Sequence, residues 1–383
     1  MEIRDCAADD LDAVLDVRTR SFGPMAEGDR GRWRAMQERA IAQRRLLAVY
    51  DGAVPVAMAR IMPYRQWWHG ATLPMAGVGG VVVAPEHRGQ GVGNQLMTAL
   101  VARAVELGYP TSALYPATVP PYRSLGWELA GYQYFVTVPT EAVRRLAGGG
   151  TPKVRRVGPE SAGDVLETVA RVHQRHLDDG PIESPEYEVA EWLREDEPFA
   201  YLADDGFLAY EWAGDTLAVD TLVAESEETV RALWSLVGSG SSIASTIKAN
   251  VSPDDPVRLL TREFAATTER QVPWMLRLLD APAAVAGRGF PRGVTVEVPL
   301  TVGDDMLPSN SRTWLLRVAD GRGELVEHDR PGLELAAGGL AALFAGTRVA
   351  TLRRAGIASG GDRRDDALLD AAFAGTAFML DYF

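Results

Sequence analysis

Cysteine is almost missing from this chain. Among 383 residues only Cys6 is a cysteine, so no internal disulfide can form, and a reducing compartment, the cytoplasm, is expected. Basic charge is not in excess either: 39 Lys and Arg stand against 52 Asp and Glu, a net charge of −13 at pH 7. That balance argues against a nucleic-acid partner and favours a cationic one. No apolar run approaches the ~18 residues that cross a bilayer. The first residues include Glu2, Asp5, Asp9 and Asp10 and lack the apolar core of a signal peptide, so no membrane partner is expected. No Ser-His-Asp or Cys-His arrangement stands out for nucleophilic chemistry. His173 and His176 are three apart on an expected helix and could share a face, but no third ligand is near them, so no metal is expected. The remaining composition, 46% hydrophobic and 24% charged, is that of an ordinary globular protein long enough for two or three domains.

What is present is concentrated in Val81-Val82-Val83-Ala84-Pro85-Glu86-His87-Arg88-Gly89-Gln90-Gly91-Val92-Gly93. A β-branched run stops at a proline, passes through Arg-x-x-Gly-x-Gly and opens into an apolar-periodic segment over 94–107. This reads as strand, glycine-rich turn and helix. Such a turn aims successive backbone N–H groups at whatever lies above the helix N-terminus, a natural seat for a pyrophosphate. Glycine is needed there because a Cβ would block both the turn dihedrals and close approach of the phosphates. The P-loop lysine is absent, and the Gly-x-Gly-x-x-Gly order of dinucleotide folds is absent too. A glycine-rich turn without a ligand is the plain alternative; Arg88 and the flanking strand and helix weigh against it.

The rest of the chain divides into three stretches. The first has a helix over 9–22, a hairpin (46–50, 54–61) turned at Asp51-Gly52, a strand over 78–83, the turn and its helix, and strands over 111–115 and 133–138. Between the last two lies a loop with Pro116, Pro120, Pro121 and Tyr122, closed by Gly126. This order reads as a complete fold, and Ala147-Gly148-Gly149-Gly150-Thr151-Pro152 reads as its boundary. The second stretch is a weak repeat of the first: strands 199–202 and 207–212 about Asp204-Asp205-Gly206, then 217–224, then Glu225-Ser226-Glu227-Glu228 and a helix over 230–237. Glutamates stand where a pyrophosphate would sit, so this copy is expected to be a scaffold. From Gly293 a strand (294–302) and a hairpin about Asp320-Gly321 lead to helical segments over 333–344 and 365–373 and to an apolar end, Ala377-Phe378-Met379-Leu380-Asp381-Tyr382-Phe383.

The Arg88-x-x-Gly91-x-Gly93 segment resembles motif A of the GCN5-related N-acetyltransferases (GNAT). Together with Leu114-Tyr115, Tyr122-Arg123-Ser124-Leu125-Gly126, Trp274-Met275-Leu276-Arg277-Leu278-Leu279-Asp280 and the terminal Phe383, the whole chain resembles the Eis-like (enhanced intracellular survival) members of that group. One departure is Gly89, where some relatives carry another basic residue. The resemblance implies an α+β (mixed α/β) chain of three parts: a catalytic GNAT domain (1–147), a degenerate one (148–288) and a sterol-carrier-protein-like domain that delivers the C-terminus (289–383). It implies that acetyl-CoA is held by Val81, Val82 and Val83 through the strand edge, and by Arg88, Gly89, Gln90, Gly91, Val92, Gly93 and Asn94 through the turn, with Ala117 and Thr118 beside them. It makes Tyr122 the general acid, with Tyr115 as the local competitor, and makes the α-carboxylate of Phe383 the base. A phenol of pKa ~10 keeps the proton that an acid must give.

For the acceptor side, Trp33, Trp67 and Trp68 are expected to line a groove, although Trp33 is also at core spacing with Met36. Glu27, Asp29 and Asp381 are candidates for holding amines. The expected activity is acetyl transfer to a small cationic amine, such as an aminoglycoside-type molecule, by a homo-oligomer, a hexamer by the resemblance. Acetylation of a protein lysine and a non-catalytic CoA- or lipid-binding scaffold are the alternatives.

Overall fold

The computed structural model describes residues 1–146, 152–195, 198–261 and 265–383, excepting the side chain of Glu269. Residues 147–151 of the expected first boundary lie outside the described residues.

One mixed sheet dominates. Its strands are β1 (Glu2–Asp5), β2 (Leu46–Asp51), β3 (Val54–Trp68), β4 (Ala71–Val83), β5 (Thr111–Leu114), β6 (Glu128–Pro139), β7 (Arg155–Val157), β8 (Asp179–Glu183), β9 (Phe199–Ala203), β10 (Gly206–Ala213), β11 (Thr216–Ala224), β12 (Thr246–Val251) and β13 (Thr267–Leu278). They run in the order β1-β2-β3-β4-β5-β13-β6-β12-β11-β10-β9-β7, with β8 added on β3. The hairpins follow local chemistry. β2 turns into β3 at Gly52 (φ +60°), and β3 turns into β4 at His69 and Gly70 (φ +49° and +77°), the pair of positive φ values that a two-residue hairpin turn needs. Residues 46–50 of β2 are buried in succession, as in a strand covered on both faces. Helices Leu11–Phe22 and Val92–Glu106 pack on β3.

The repeat is real at the level of topology. In the first unit β4 leads through helix Val92–Glu106 to a parallel partner, β5; in the second, β11 leads through helix Glu227–Gly238 to a parallel partner, β12. The order up to Val138, read from sequence as a complete fold, is not complete. β5 and β6 do not pair with each other; β13, from beyond residue 260, lies between them and bonds to both. β6 in turn pairs with β12 of the second unit. The two units therefore share a central strand pair, which is why the sheet is continuous.

A second sheet, in the order β16-β15-β14-β17-β18, is built from β14 (Val296–Gly303), β15 (Thr313–Ala319), β16 (Arg322–Glu327), β17 (Leu333–Ala336) and β18 (Ala358–Gly360). The helix expected over 333–344 is shorter than its sequence suggested. Residues 333–336 form β17 on β14, and only Ala337–Phe344 is helical. Two buried arginines fasten this unit to the rest. Arg277 Nη2 donates to the Asp304 carboxylate at 2.8 and 3.1 Å. Arg288 Nη1 donates to the Phe344 carbonyl, with Asp179 3.6 Å from its Nη2. The Arg288 guanidinium is ringed by Trp68, Phe344, Phe290 and Phe373, 4.9 to 5.6 Å from their centroids.

Candidate active site

β4 is paired with β5 only from Met75 to Val78, and Val78 meets Leu114, the last residue of β5. Beyond this point the strands part: Gly79, Val82 and Val83 keep their partners on β3 while the other edge opens. The β3 register slips here: Met58 faces Val82 but Arg60 faces Gly79, so β4 carries one extra residue. Gly80, with φ +62°, forms this bulge, which twists the strand and releases its backbone groups from the ladder. Val81, Val82 and Val83 follow on the open edge.

The turn after β4 is built for an anion. Arg88 Nε donates to the Val83 carbonyl at 3.1 Å and Gln90 Nε2 to the Glu86 carbonyl at 2.9 Å, bracing the loop from both sides. Gly89 and Gly91 have φ +74° and +79°, and a Cβ on either would meet nothing within 4 Å. Gly91 is the N-cap of helix Val92–Glu106, and no side chain caps that end. Gly93 packs on Val83, where a Cβ would lie 3.5 Å from the valine methyl. The N–H groups of Val92, Gly93 and Asn94 lie at the positive end of the helix dipole without a side-chain cap. Ala117 and Thr118 are exposed on the loop leaving β5.

The second unit uses the same position differently. Ser226 caps helix Glu227–Gly238, its hydroxyl accepting from the Thr229 N–H. The Asp205 carboxylate accepts from the Ser226 N–H at 3.0 Å and from the Thr229 hydroxyl. Burial works to raise the Asp205 pKa, but these hydrogen bonds outweigh it and hold the group below its ordinary value. An internal carboxylate already occupies the anion seat.

The end of the chain runs to the open edge of the first unit. The Phe383 ring lies 5.1 Å from that of Tyr64 and 5.3 Å, edge-on, from that of Tyr115. A Cβ placed on Gly79 would be 3.7 Å from the backbone carbonyl carbon of Phe383, so the terminus lies against β4 beside its bulge. Tyr122 sits on the short helix Pro120–Arg123, its ring edge-on to Trp127 at 6.3 Å. Burial raises its pKa, which keeps the phenol protonated at neutral pH. The hydroxyl of Tyr115, the competing candidate, donates to the Asp381 carbonyl at 2.6 Å.

Asp381 opens into a cavity of about 730 Å³ between β6, β10, β11, helix Ala162–His176 and helix Glu186–Trp192; Glu188, Glu211 and Asp220 line it too, against Arg270 and His173. Desolvation at the cavity pushes the Asp381 carboxyl up to about 6, with the nearby His173 opposing the shift, although Asp381 keeps exposed surface. Burial, then Glu211 and Asp381, push Asp220 up to about 6. Glu188 and Trp192 also line a smaller cavity, about 290 Å³, that reaches Met62 and Tyr64 under Phe383. Of the four acids only Asp381 was singled out in the sequence. A lone acid inside the apolar run Leu217–Ala224 was the available signal for Asp220.

Other expected acceptor residues lie elsewhere. Trp33 is buried in the first unit's core, as its spacing with Met36 allowed, and does not line the large cavity. Trp68 is fully buried beneath Arg288, and Trp67 packs on the His173 ring at 6.3 Å. Glu27 and Asp29 are exposed in the first turn of helix Glu27–Ala42, with Asp29 3.5 Å from Arg32. His173 and His176 do not share a face: His173 is buried with Nδ1 2.8 Å from the Asp178 carboxylate, and His176 is exposed.

Models of known families match the chain in three places: an acetyltransferase (GNAT) domain over residues 2–130, a second over 184–278, and a sterol carrier protein domain over 281–380. N-acetyltransferase Eis of Mycobacterium tuberculosis is 31% identical over 355 residues, 86% of each chain. The chain belongs to the Eis-type N-acetyltransferases. A GCN5-related N-acetyltransferase from Kribbella flavida is 48% identical with a TM-score of 0.97, over 100% of this chain and 98% of that one. Eis1 from Mycobacterium abscessus, at 20% identity, shares the fold, with a TM-score of 0.81 over the full length of both chains. This Eis-type enzyme thus has two GNAT domains in one mixed α/β sheet and a sterol-carrier-protein-like unit. GNAT acetyltransferases take their acetyl group from acetyl-CoA. The contrast between the two helix N-termini gives a direct expectation: acetyl-CoA binds once per chain. Calorimetry should return a stoichiometry of one, and Gly91→Glu should abolish binding through strain and charge; two equivalent sites would overturn the assignment.

Proposed function

We propose that this enzyme transfers the acetyl group of acetyl-CoA to a primary amine of a small polycationic molecule of the aminoglycoside type, directly and without an acyl-enzyme. The observation that carries the reading is the meeting of three features at one end of β4: the open bulged edge, the Phe383 terminus, and, two residues back along the chain, Asp381 in an acid-lined cavity. The domain limits 1–147, 148–288 and 289–383 belong to the same proposal. So do a homohexameric assembly, which rests on the family resemblance and is tested by light scattering, and a cytoplasmic setting, supported by the single buried Cys6.

In this mechanism the turn from Arg88 to Asn94 holds the pyrophosphate, and the edge of Val81 to Val83 aligns the pantetheine. The acceptor amine attacks the thioester carbonyl; a C–N bond forms and the C–S bond breaks. Backbone N–H groups freed by the bulge face the oxygen that gains charge. The Phe383 carboxylate takes the ammonium proton through water, and Tyr122 gives its phenolic proton to the departing thiolate. The cavity carboxylates hold the remaining ammonium groups, since desolvated cations favour carboxylate partners.

A CoA-release assay with aminoglycosides, linear polyamines and lysine peptides tests the substrate class. Turnover with the cationic small molecules is expected; turnover confined to peptides would move the enzyme to protein acetylation. Tyr122→Phe should lower kcat by about 10²–10⁴-fold with acetyl-CoA affinity unchanged. An unaltered rate where chemistry limits turnover would remove Tyr122 as the acid. The pH dependence has a definite sign. Asp381 and Asp220, both near 6, are ionised above that pH and neutral below it. The KM for a cationic acceptor should therefore rise on the order of tenfold, about 1.4 kcal/mol, as pH falls from 8 to 5.5, although the acceptor itself becomes more charged. An acceptor KM that stays flat or falls would show that these acids do not hold the substrate.

A further inference from the structure

Three side-chain donors converge on two successive carbonyls near the chain end. Tyr115 Oη donates to the Asp381 carbonyl at 2.6 Å, Gln133 Nε2 to the Leu380 carbonyl at 3.1 Å, and Asn250 Nδ2 to the same Leu380 carbonyl. They come from three places: the loop where the sheet opens after β5, the shared strand β6, and β12 of the second unit. Tyr115 does more than donate. Its ring packs, tilted, on that of Tyr382 at 4.5 Å and meets Phe383 edge-on, so one side chain touches each of the last three residues. Asn250 is buried, and its Oδ1 has no hydrogen-bond partner. A buried polar atom left unsatisfied costs stability, and an apolar residue would avoid that cost. What the buried amide gains is the hydrogen bond from its Nδ2 to the Leu380 carbonyl.

We propose that Tyr115, Gln133 and Asn250 are positioning residues that clamp the chain end so that the Phe383 carboxylate reaches the reacting centre, and that the second unit contributes to catalysis through Asn250. The inference rests on the reading of that carboxylate as the base. The physical need is clear from chain geometry. Each released residue adds ~3.3–3.6 Å of reach, and a misplacement of ~1 Å can cost on the order of 10²-fold in rate. Tyr382 is largely exposed, and the burial of its neighbours ends at Leu380. The clamp therefore sits where burial stops holding the chain.

The test compares Tyr115→Phe and Asn250→Leu in the chain that ends at Phe383 and in a chain extended by Gly-Ser after it. Tyr115→Phe keeps the ring contacts and removes only the hydroxyl; melting curves check that both variants fold. In the chain of natural length each variant should lower kcat by ~10- to 10²-fold while the KM for acetyl-CoA stays within about twofold. In the extended chain, where the carboxylate has already been moved away, neither should lower kcat further. Full kcat in both variants overturns the clamp when the extension itself is crippling, and leaves the carboxylate as base. An additive loss in the extended chain also overturns it, because Tyr115 would then act on the substrate itself. An extended chain with full kcat removes the carboxylate as base and this proposal with it.

Discussion

The docking of residues 377–383 is the constraint on which the rest of this structure depends. The segment is threaded like a strand between the units. Phe378 N–H bonds to the Asp179 carbonyl at 2.9 Å and Met379 N–H to the Tyr132 carbonyl at 3.2 Å, so β8 and β6 grip it from two sides. Its side chains alternate with period two: Ala377 and Met379 enter the core shared with the third unit, and Phe378 and Leu380 enter the core of the second. Close backbone approach makes this possible. A Cβ on Gly131 would lie 2.1 Å from the Ala377 carbonyl oxygen, and one on Gly180, at φ +102°, 2.4 Å from that of Phe378. Those glycines belong to the first and second units, so both give close approach to the far end of the same chain, beside Trp274.

The same logic explains why ionic groups are buried between units. Arg277 lies on β13, the strand that completes the first unit's sheet, and reaches Asp304 of the third. Gly126 is next to it: at φ +90°, a Cβ there would fall 1.5 Å from Arg277 Nη1. Trp127, whose ring is 5.8 Å from the guanidinium, packs in turn on Tyr122. Buried ion pairs often add little net stability over apolar packing, because desolvation offsets attraction. Their value here is geometric. Arg277 with Asp304 and Arg288 with the Phe344 carbonyl tie the third unit to the rest, and that docking delivers the terminus and backs the turn that carries Tyr122.

Local chemistry was legible in the sequence; long-range exchange was not. The strand, turn and helix about Arg88, Gly91 and Gly93 could be read because positive φ and uncapped N–H groups need particular residues at fixed spacing. The hairpins at Asp51-Gly52 and Asp320-Gly321 followed for the same reason. β13 could not be placed, since an alternating strand carries no mark of which neighbour it will pair with, and its partner β5 is over 150 residues away. Residues 333–336 were read as helix because a short apolar run fits either period. At the site, Tyr122 and Phe383 were found through the resemblance. Glu188, Glu211, Asp220 and Asn250 were not, because they gather from separate elements of the second unit and share no motif.

The two copies of the acetyltransferase fold show how one architecture takes two roles by changing what sits at a helix N-terminus. In the first unit, glycines leave that end open and the neighbouring strands part, which makes a seat for an anionic group donor. In the second, Ser226 takes the Thr229 N–H and Asp205 takes the Ser226 N–H, so that helix end is capped from within the chain. In the proposed reading its surface serves the other substrate: Glu211 and Asp220 stand on β10 and β11, and Asn250 on β12, lining the cavity that Asp381 enters. Because β6 and β13 are shared, the two units are joined through one continuous sheet. A duplicated fold with a shared strand pair can therefore divide donor and acceptor recognition between its halves, and the C-terminal segment joins the two.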